Sequence, residues 1–182
     1  MFLDGEDITG QTGRISYMLQ KDLLLPYRTI ADNAALPLIL RGVDKREARA
    51  QAAAHFADFG LEGTEDKWPH QLSGGMRQRA ALLRTYLFSQ EVALLDEPFS
   101  ALDTLTKAAM HEWYLDVMKR IRLSTLFITH DIQAATVLCD RFALLRGGKL
   151  IDTAENLDEM ACSPYFRELI ERTVVFESDL GE

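Results

Sequence analysis

The chain has 182 residues, 47% of them hydrophobic, and a formal net charge of −8 at pH 7. This composition fits a single globular domain with room for an inserted lobe, and its acidic balance disfavours nucleic acid, which needs a basic face. No apolar run approaches the roughly 20 residues that span a bilayer, and Cys139 and Cys162 lack the spacing of a zinc site or a disulfide framework, so we expect no membrane insertion and a reducing compartment.

The first dozen residues read as a short strand, a turn at Asp4 and Gly5, and a second extended piece. Residues 5–12, GEDITGQT, match the phosphate-loop pattern G-x-x-x-x-G-K-[ST] at every fixed position except the lysine, which is Gln11 here. We reject this stretch as a phosphate loop because the lysine charge is missing, the neighbouring acids would repel phosphate, and no amphipathic helix follows.

Residues 14–19 predict a strand that ends at Gln20, which taken alone is simply a polar residue at a strand end. Beyond it, helices are predicted over residues 30–40 and 44–59, the second capped by Asp44 and stopped by Gly60. The leucine run at 23–25 between strand and helix is either core or partner surface.

A helix is predicted to open at LSGGM, residues 72–76, with Ser73 as its cap. Gly74 and Gly75 let a backbone approach a ligand closely, and free N–H groups with the helix dipole attract an anion. The stretch therefore fits a phosphate clamp, although a plain turn is the alternative interpretation.

Residues 92–95 form an unbroken apolar run, as expected of a parallel strand buried on both faces, and the run ends in Asp96 and Glu97. A carboxylate at the C-terminal end of such a strand holds Mg²⁺ through water, and its neighbour orients or deprotonates an attacking water. An ordinary core strand is the alternative.

The remaining pattern predicts a long amphipathic helix over residues 104–122, a strand over 125–129, a hairpin over 140–153 with a turn at Gly147 and Gly148, and a helical tail. His130 follows the strand, where α/β sheets bind ligands. A structural histidine is the alternative interpretation.

Four motifs, LSGGMRQR, VALLDEP, SALD at 100–103 and Thr129-His130-Asp131, occur in an order that resembles the nucleotide-binding subunit of ABC transporters. The resemblance extends from Gly5 to about Thr153. It implies an α/β, P-loop NTPase-like (RecA-like) parallel sheet with an inserted α-helical subdomain. The implied division is a partial catalytic core (1–21), a helical subdomain with the signature motif (22–90), a second part of the core (91–155) and a C-terminal helical tail (156–182).

The family's chemistry uses ATP and Mg²⁺. By resemblance, Asp96 lies near Mg²⁺, Glu97 acts on the attacking water, Gln20 reaches both, and His130 contacts the γ-phosphate. Ser73, Gly74, Gly75 and Asp103 then contact the nucleotide site of a second subunit. The implied partners are that second nucleotide-binding subunit and a transmembrane permease, which docks on residues 22–40 and holds the protein at the cytoplasmic face of the membrane.

The sequence runs look most like the importers of nitrate, sulfonate, taurine and pyrimidine precursors. No intact phosphate-loop motif occurs in the 182 residues, and in the family this loop and its strand precede the part that the chain resembles. We expect a start at an internal methionine or a deletion, with an inactive isolated chain and an exposed apolar edge on the strand at 125–129.

A half-site subunit that supplies its signature motif to an intact partner is the third explanation. A docking module without nucleotide chemistry is the alternative from a different functional class.

Overall fold

The computed structural model describes residues 2–3, 5–11, 13–88, 92–121 and 123–168. The chain divides into two compact units, Met1–Ile128 and Thr129–Glu182. The elements of the first unit are β1 (Phe2–Leu3), β2 (Glu6–Asp7), β3 (Ser16–Met18), α1 (Ile30–Leu40), α2 (Lys45–Ala53), a 3₁₀ turn (Pro69–Gln71), α3 (Gly74–Phe88), β4 (Val92–Asp96), α4 (Thr104–Ile121) and β5 (Ser124–Ile128).

The β1–β2 pair is an antiparallel hairpin in which Phe2 pairs with Asp7. The predicted turn includes Gly5, whose φ of 82° favours glycine. The described residues from 13 to 29 contain no helix, so GEDITGQT lacks the helix that a phosphate loop opens. This agrees with the reason for which we reject the stretch, and the rejection itself stays a prediction.

A three-stranded parallel sheet in the order β3-β4-β5 is the centre of this unit. The predicted parallel α/β architecture is confirmed. In register, Met18, Leu95 and Phe127 share one face, and α4 packs on that face through a hydrogen bond of 2.9 Å between the hydroxyls of Tyr114 and Thr125.

The opposite face of the sheet is more open than predicted. The residues of β4 that point to this face are only half-buried, whereas Ala93 and Leu95, which point to the other face, are fully buried. Tyr17 on β3 is 49% exposed and Leu126 on β5 is 56% exposed. The expectation that β4 is buried on both faces is thus wrong, because its side chains alternate between a covered and an open face.

Strand β5 is the last strand on its side of the described sheet, and both Leu126 and Ile128 are exposed there. The predicted apolar edge at this strand is confirmed. Such an edge presents unpaired backbone groups together with apolar side chains, a combination that promotes association.

The helical part of the unit begins as the sequence predicts but differs at the end of α2. Asp44 caps α2 by accepting hydrogen bonds from the backbone N–H of Arg46 and Glu47. The helix ends at Ala53 rather than at residue 59, and irregular turns continue to Gly60. There the N–H of Leu61 donates to the carbonyl of Phe56, the pattern of a glycine-terminated helix end.

The second unit contains α5 (Ile132–Leu138), β6 (Phe142–Arg146), β7 (Lys149–Ala154) and α6 (Leu157–Cys162). β6 and β7 form the predicted antiparallel hairpin, whereas α5 was not predicted. The core of this unit contains Phe142, Ala154, Met160 and Phe166. Of the predicted helical tail, residues 169–182 lie outside the described residues.

Over the described part of the chain, every helix is too short or too polar to cross a bilayer.

Gly60 gives the first testable prediction. Its φ is +62°, and an added Cβ would lie 2.6 Å from Nη1 of Arg79, which stacks on Trp113 with 4.8 Å from Cζ to the ring centroid. We expect Gly60→Ala to lower the free energy of unfolding in urea by about 1–3 kcal/mol. Gly63→Ala is the matched control, because φ is +72° there with no atom within 4 Å of the added Cβ. Equal losses in both variants would show that displacement of Arg79 costs nothing.

Candidate functional site

The glutamine and the paired carboxylates follow neighbouring parallel strands, so they meet at one edge of the sheet. Met18 is in register with Leu95, which places Gln20 just beyond the carboxyl end of β3 and Asp96 at the last position of β4. The Gln20 Nε2 donates to Ser100 Oγ at 3.2 Å, and Ser100 Oγ donates to the carbonyl of Glu97 at 2.9 Å. A hydrogen-bond chain therefore connects Gln20 to the backbone of the candidate catalytic carboxylate.

Asp96 has a partner that sequence reasoning missed. The Tyr17 hydroxyl donates to Asp96 Oδ2 at 2.9 Å. In register, Tyr17 faces Leu94, so Asp96 is its diagonal neighbour on the same face. The hydrogen bond to the Asp96 carboxylate raises the pKa of Tyr17. The alternation of side chains along β3 places Tyr17 on one face of the sheet. Only the register of β3 against β4 shows that Asp96 lies beside it on that face.

Glu97 has an unusual backbone for a residue with a side chain. Its φ is +48°, in the left-handed region, and its N–H donates to the carbonyl of Ile128 at 2.9 Å. Such a conformation costs of order 1–3 kcal/mol for a non-glycine residue and is typically retained at functional sites. The backbone of Glu97 is thus fixed by β5 immediately after β4 ends.

The side chains at this edge offer oxygen atoms of the kind that Mg²⁺ prefers. Asp96 offers a carboxylate and Gln20 an amide oxygen. Among the described residues, no three His, Cys, Asp or Glu side chains form a metal-binding group. Mg²⁺ normally binds through one or two carboxylates, with water and substrate phosphates completing its coordination.

The first turn of α3 is built as the sequence predicts, and its glycines also have a packing role. Ser73 Oγ accepts a hydrogen bond of 3.2 Å from the N–H of Met76. A Cβ on Gly74 would lie 3.3 Å from the Leu102 side chain, and one on Gly75 would lie 3.3 Å from the methyl of Thr106. A methyl group at either position would thus be in tight contact with a neighbouring side chain, which would have to move by a few tenths of an ångström.

Asp103 caps α4 next to that first turn. Its Oδ1 accepts from the N–H of Thr106 at 3.0 Å, and its Oδ2 accepts from the Thr106 hydroxyl at 2.6 Å. These hydrogen bonds from Thr106 lower the pKa of Asp103. The carboxylate is therefore held ionised beside the residues that pack against Gly75.

A cavity of about 390 Å³ lies within the first unit between α3 and the segment of residues 19–29 that follows β3, here called the glutamine loop. Gln20, Gly74 and Gln78 line it, together with Ala101 and Leu102. The cavity shows that the glutamine loop, the first turn of α3 with Ser73, Gly74 and Gly75 (the signature turn) and the segment before Asp103 surround a common space.

His130 belongs to the second unit, together with the cap of α5. Asp131 Oδ1 accepts from the N–H of Ala134, and the N–H of Asp131 donates to Thr129 Oγ1, each at 3.0 Å. The sequence pattern after β5 is thus a helix start, and the proposed phosphate contact of His130 stays a prediction.

Comparison with known proteins gives consistent relatives. The family model described as "ABC transporter" matches residues 2–100. The chain is 46% identical over 165 residues to the formylaminopyrimidine import ATP-binding protein ThiZ of Halalkalibacterium halodurans, covering 91% of the chain and 65% of the relative. It is 43% identical over 137 residues to the aliphatic sulfonates import ATP-binding protein SsuB 2 of Streptomyces avermitilis, covering 75% of the chain and 53% of the relative.

A third relative is the glycine betaine transport ATP-binding protein OpuAA of Bacillus subtilis, 35% identical over 182 residues, which covers 94% of the chain and 44% of the relative. The chain therefore spans between 44% and 65% of the length of these three curated relatives.

The Tyr17–Asp96 hydrogen bond gives the second prediction. Because the negative carboxylate raises the pKa of Tyr17, Asp96→Asn should lower the phenol pKa toward its ordinary value. Spectroscopic titration of tyrosine ionisation measures this, with Tyr17→Phe identifying the signal. Asp103→Asn is the matched control, since Asp103 bonds Thr106 rather than a tyrosine. An unchanged Tyr17 titration in Asp96→Asn would contradict the contact.

Proposed function

The chain belongs to the ABC transporter family, and we propose that it is an ATP-hydrolysing subunit of an ABC importer. In this role it couples ATP binding and hydrolysis to the uptake of a small solute, with ATP as substrate and Mg²⁺ as cofactor. The observation that carries the proposal is the convergence of Gln20 with the Asp96–Glu97 turn, through Ser100, at the carboxyl edge of a parallel sheet.

The proposed hydrolytic roles follow from the donor chemistry of these side chains. Asp96 holds Mg²⁺, which when bound neutralises charge on the transferred phosphate. Glu97 orients and deprotonates the attacking water. Gln20 supplies an amide oxygen to the ion and the water, and His130 contacts the γ-phosphate.

The proposed dimer places the signature turn on the nucleotide of the opposite subunit. The N-terminus of α3, with Ser73, Gly74 and Gly75, presents backbone N–H groups and the positive end of the helix dipole to an anion. Asp103 contacts the facing site from the adjoining start of α4. The second nucleotide-binding subunit is therefore a partner in hydrolysis.

A transmembrane permease is the second proposed partner, and it holds this subunit at the cytoplasmic face of the membrane. Apolar side chains are exposed along the loop after β3, with Leu23 at 51% and Tyr27 at 87%. Exposed apolar groups in one short segment favour a protein contact. We place the docking surface on residues 22–40.

The transported solute is proposed from the relatives alone. Two of them carry names for the import of formylaminopyrimidine and of aliphatic sulfonates. A small nitrogen- or sulfur-containing organic solute of this group is the corresponding cargo class here, selected by other subunits.

A half-site subunit is the second candidate function, favoured by one sequence observation. The 182 residues contain no G-x-x-x-x-G-K-[ST] motif, which is the phosphate-loop pattern that Asp96 and Glu97 would work with. A chain of this kind would still supply its signature turn to a partner that has the loop.

A mixing experiment tests the signature role. An intact ATP-binding relative with its own signature serine changed to arginine is mixed with this chain, and Mg²⁺-dependent ATP hydrolysis is measured. We expect each protein alone to be inactive and the mixture to gain at least about tenfold, since trans contacts to phosphate stabilise the transition state. Ser73→Arg in this chain should abolish the gain.

Ser124→Arg is the matched control, because Ser124 is exposed at the start of β5 and should leave the gain intact. A heterodimer demonstrated by size-exclusion chromatography that nevertheless fails to hydrolyse ATP would refute the trans role of Ser73.

Docking is tested separately by flotation with vesicles. The chain should bind vesicles that carry the permease and should not bind protein-free vesicles. Tyr27→Asp should reduce binding by about tenfold or more, as expected for loss of an interface aromatic. Tyr165→Asp, at a tyrosine 50% exposed in the second unit, should have little effect. Equal binding to protein-free vesicles would point to lipid instead.

A further inference from the structure

The loop between β3 and α1 has no regular secondary structure from residue 19 to residue 29. Its backbone polar groups therefore need partners from side chains. Three side chains of α3, Arg77, Gln78 and Arg84, contact the part of this loop that begins at Gln20.

Arg84 makes the central contact. Its Nη1 donates to the carbonyl of Leu23 at 2.8 Å, and its Nη2 donates to the carbonyl of Asp22 at 2.6 Å. Leu23 has a φ of +44°, an uncommon conformation for a branched side chain. One guanidinium thus holds two consecutive carbonyl oxygens across a strained residue, a geometry that its planar fork suits.

Arg77 holds the same loop through a side chain. Its Nε donates to Asp22 Oδ2 at 3.1 Å, and Asp22 Oδ1 accepts from the N–H of Leu24 at 3.1 Å. Asp22 therefore connects α3 to the backbone on the other side of Leu23. Both arginines act on the conformation of one residue.

Gln78 extends the contact to the candidate catalytic residue. Its side chain is 4% exposed, and its Nε2 donates to the carbonyl of Gln20 at 3.3 Å. The Gln20 side chain in turn donates to Ser100 Oγ. Gln20 is thus held by two hydrogen bonds: its backbone carbonyl bonds to α3, and its side-chain amide bonds to Ser100 next to Glu97.

We propose that Arg84 is a positioning residue for Gln20, since it fixes the strained Asp22–Leu23 segment of the glutamine loop on α3, with Arg77 as its support. Its importance for hydrolysis rests on the proposed function. The contacts of Arg84 and Arg77 with the loop are called the arginine clamp below. This clamp belongs to the chain alone, so it can be tested without nucleotide.

The charge of Arg84 is not explained by packing. Burial lowers the pKa of its guanidinium, and the nearby Asp22 carboxylate opposes that shift. An apolar side chain would fill the same space without the cost of burying a cation. The guanidinium is matched instead to the two carbonyl oxygens, which would otherwise lose charge-assisted hydrogen bonds.

Amide hydrogen exchange of the full chain tests the arginine clamp in the variant Arg84→Met. Methionine replaces the aliphatic part of the arginine side chain but makes neither of the two hydrogen bonds. The N–H of Leu24 and Leu25, which bond Asp22 Oδ1 and Asn33 Oδ1, should exchange at least about tenfold faster, because two charge-assisted bonds are lost. Exchange in α4 should stay unchanged. Arg84→Lys should give an intermediate rate, because one ammonium replaces the fork.

Arg79→Met is the matched control on the same helix, because Arg79 contacts Trp113 and Met110 instead of the loop. In protein labelled with ¹⁵N-glutamine, the Gln20 side-chain amide signal, assigned with Gln20→Ala, should shift in Arg84→Met and not in Arg79→Met. Loop exchange within about twofold of the parent, or acceleration spread equally over α4, would overturn the proposal. Failure of the mixing experiment would instead count against the proposed function.

Discussion

The burial of α3 is the constraint on which the first unit depends. Beyond its first turn, Ala80, Ala81, Leu82 and Leu83 are all at most 1% exposed, so the helix is apolar around much of its circumference and must be enclosed rather than laid on a surface. It packs against α1 and β3. The signature turn at its N-terminus and the glutamine loop on its side therefore take their places from the burial of a single helix.

Backbone strain is concentrated at the same candidate site. Among the described residues, the non-glycine residues with positive φ are Leu23 and Glu97. Each is fixed by hydrogen bonds from a different element: Leu23 through Arg84 of α3, and Glu97 through the carbonyl of Ile128 at the end of β5. A strained conformation persists only when its surroundings over-determine it. The packing of α3 and the parallel sheet supply those surroundings.

The signature glycines show how one sequence feature serves two physical requirements. An added Cβ at Gly74 or Gly75 would be in tight contact with Leu102 or Thr106, and a phosphate would need a free approach to the same backbone. A substitution at either glycine therefore tests packing and binding together. Ser73 contributes differently, since its hydroxyl caps the helix by accepting a hydrogen bond from the N–H of Met76.

The sequence by itself determined the start of α3 with its Ser73 cap and the placement of Gln20, Asp96 and Glu97 at strand ends, because these follow from local periodicity and capping chemistry. The parallel α/β class was implied by the resemblance of its motifs to a known family. The sequence pattern predicted the end of α2 too late and predicted that both faces of β4 are buried. Both errors arise because the end of a helix and the burial of a strand face depend on which other elements pack against them. Tertiary structure alone decided the contacts of Tyr17, Ser100 and Arg84. Those contacts join residues 61 to 80 positions apart, and strand register and helix burial, which no local pattern encodes, bring them together.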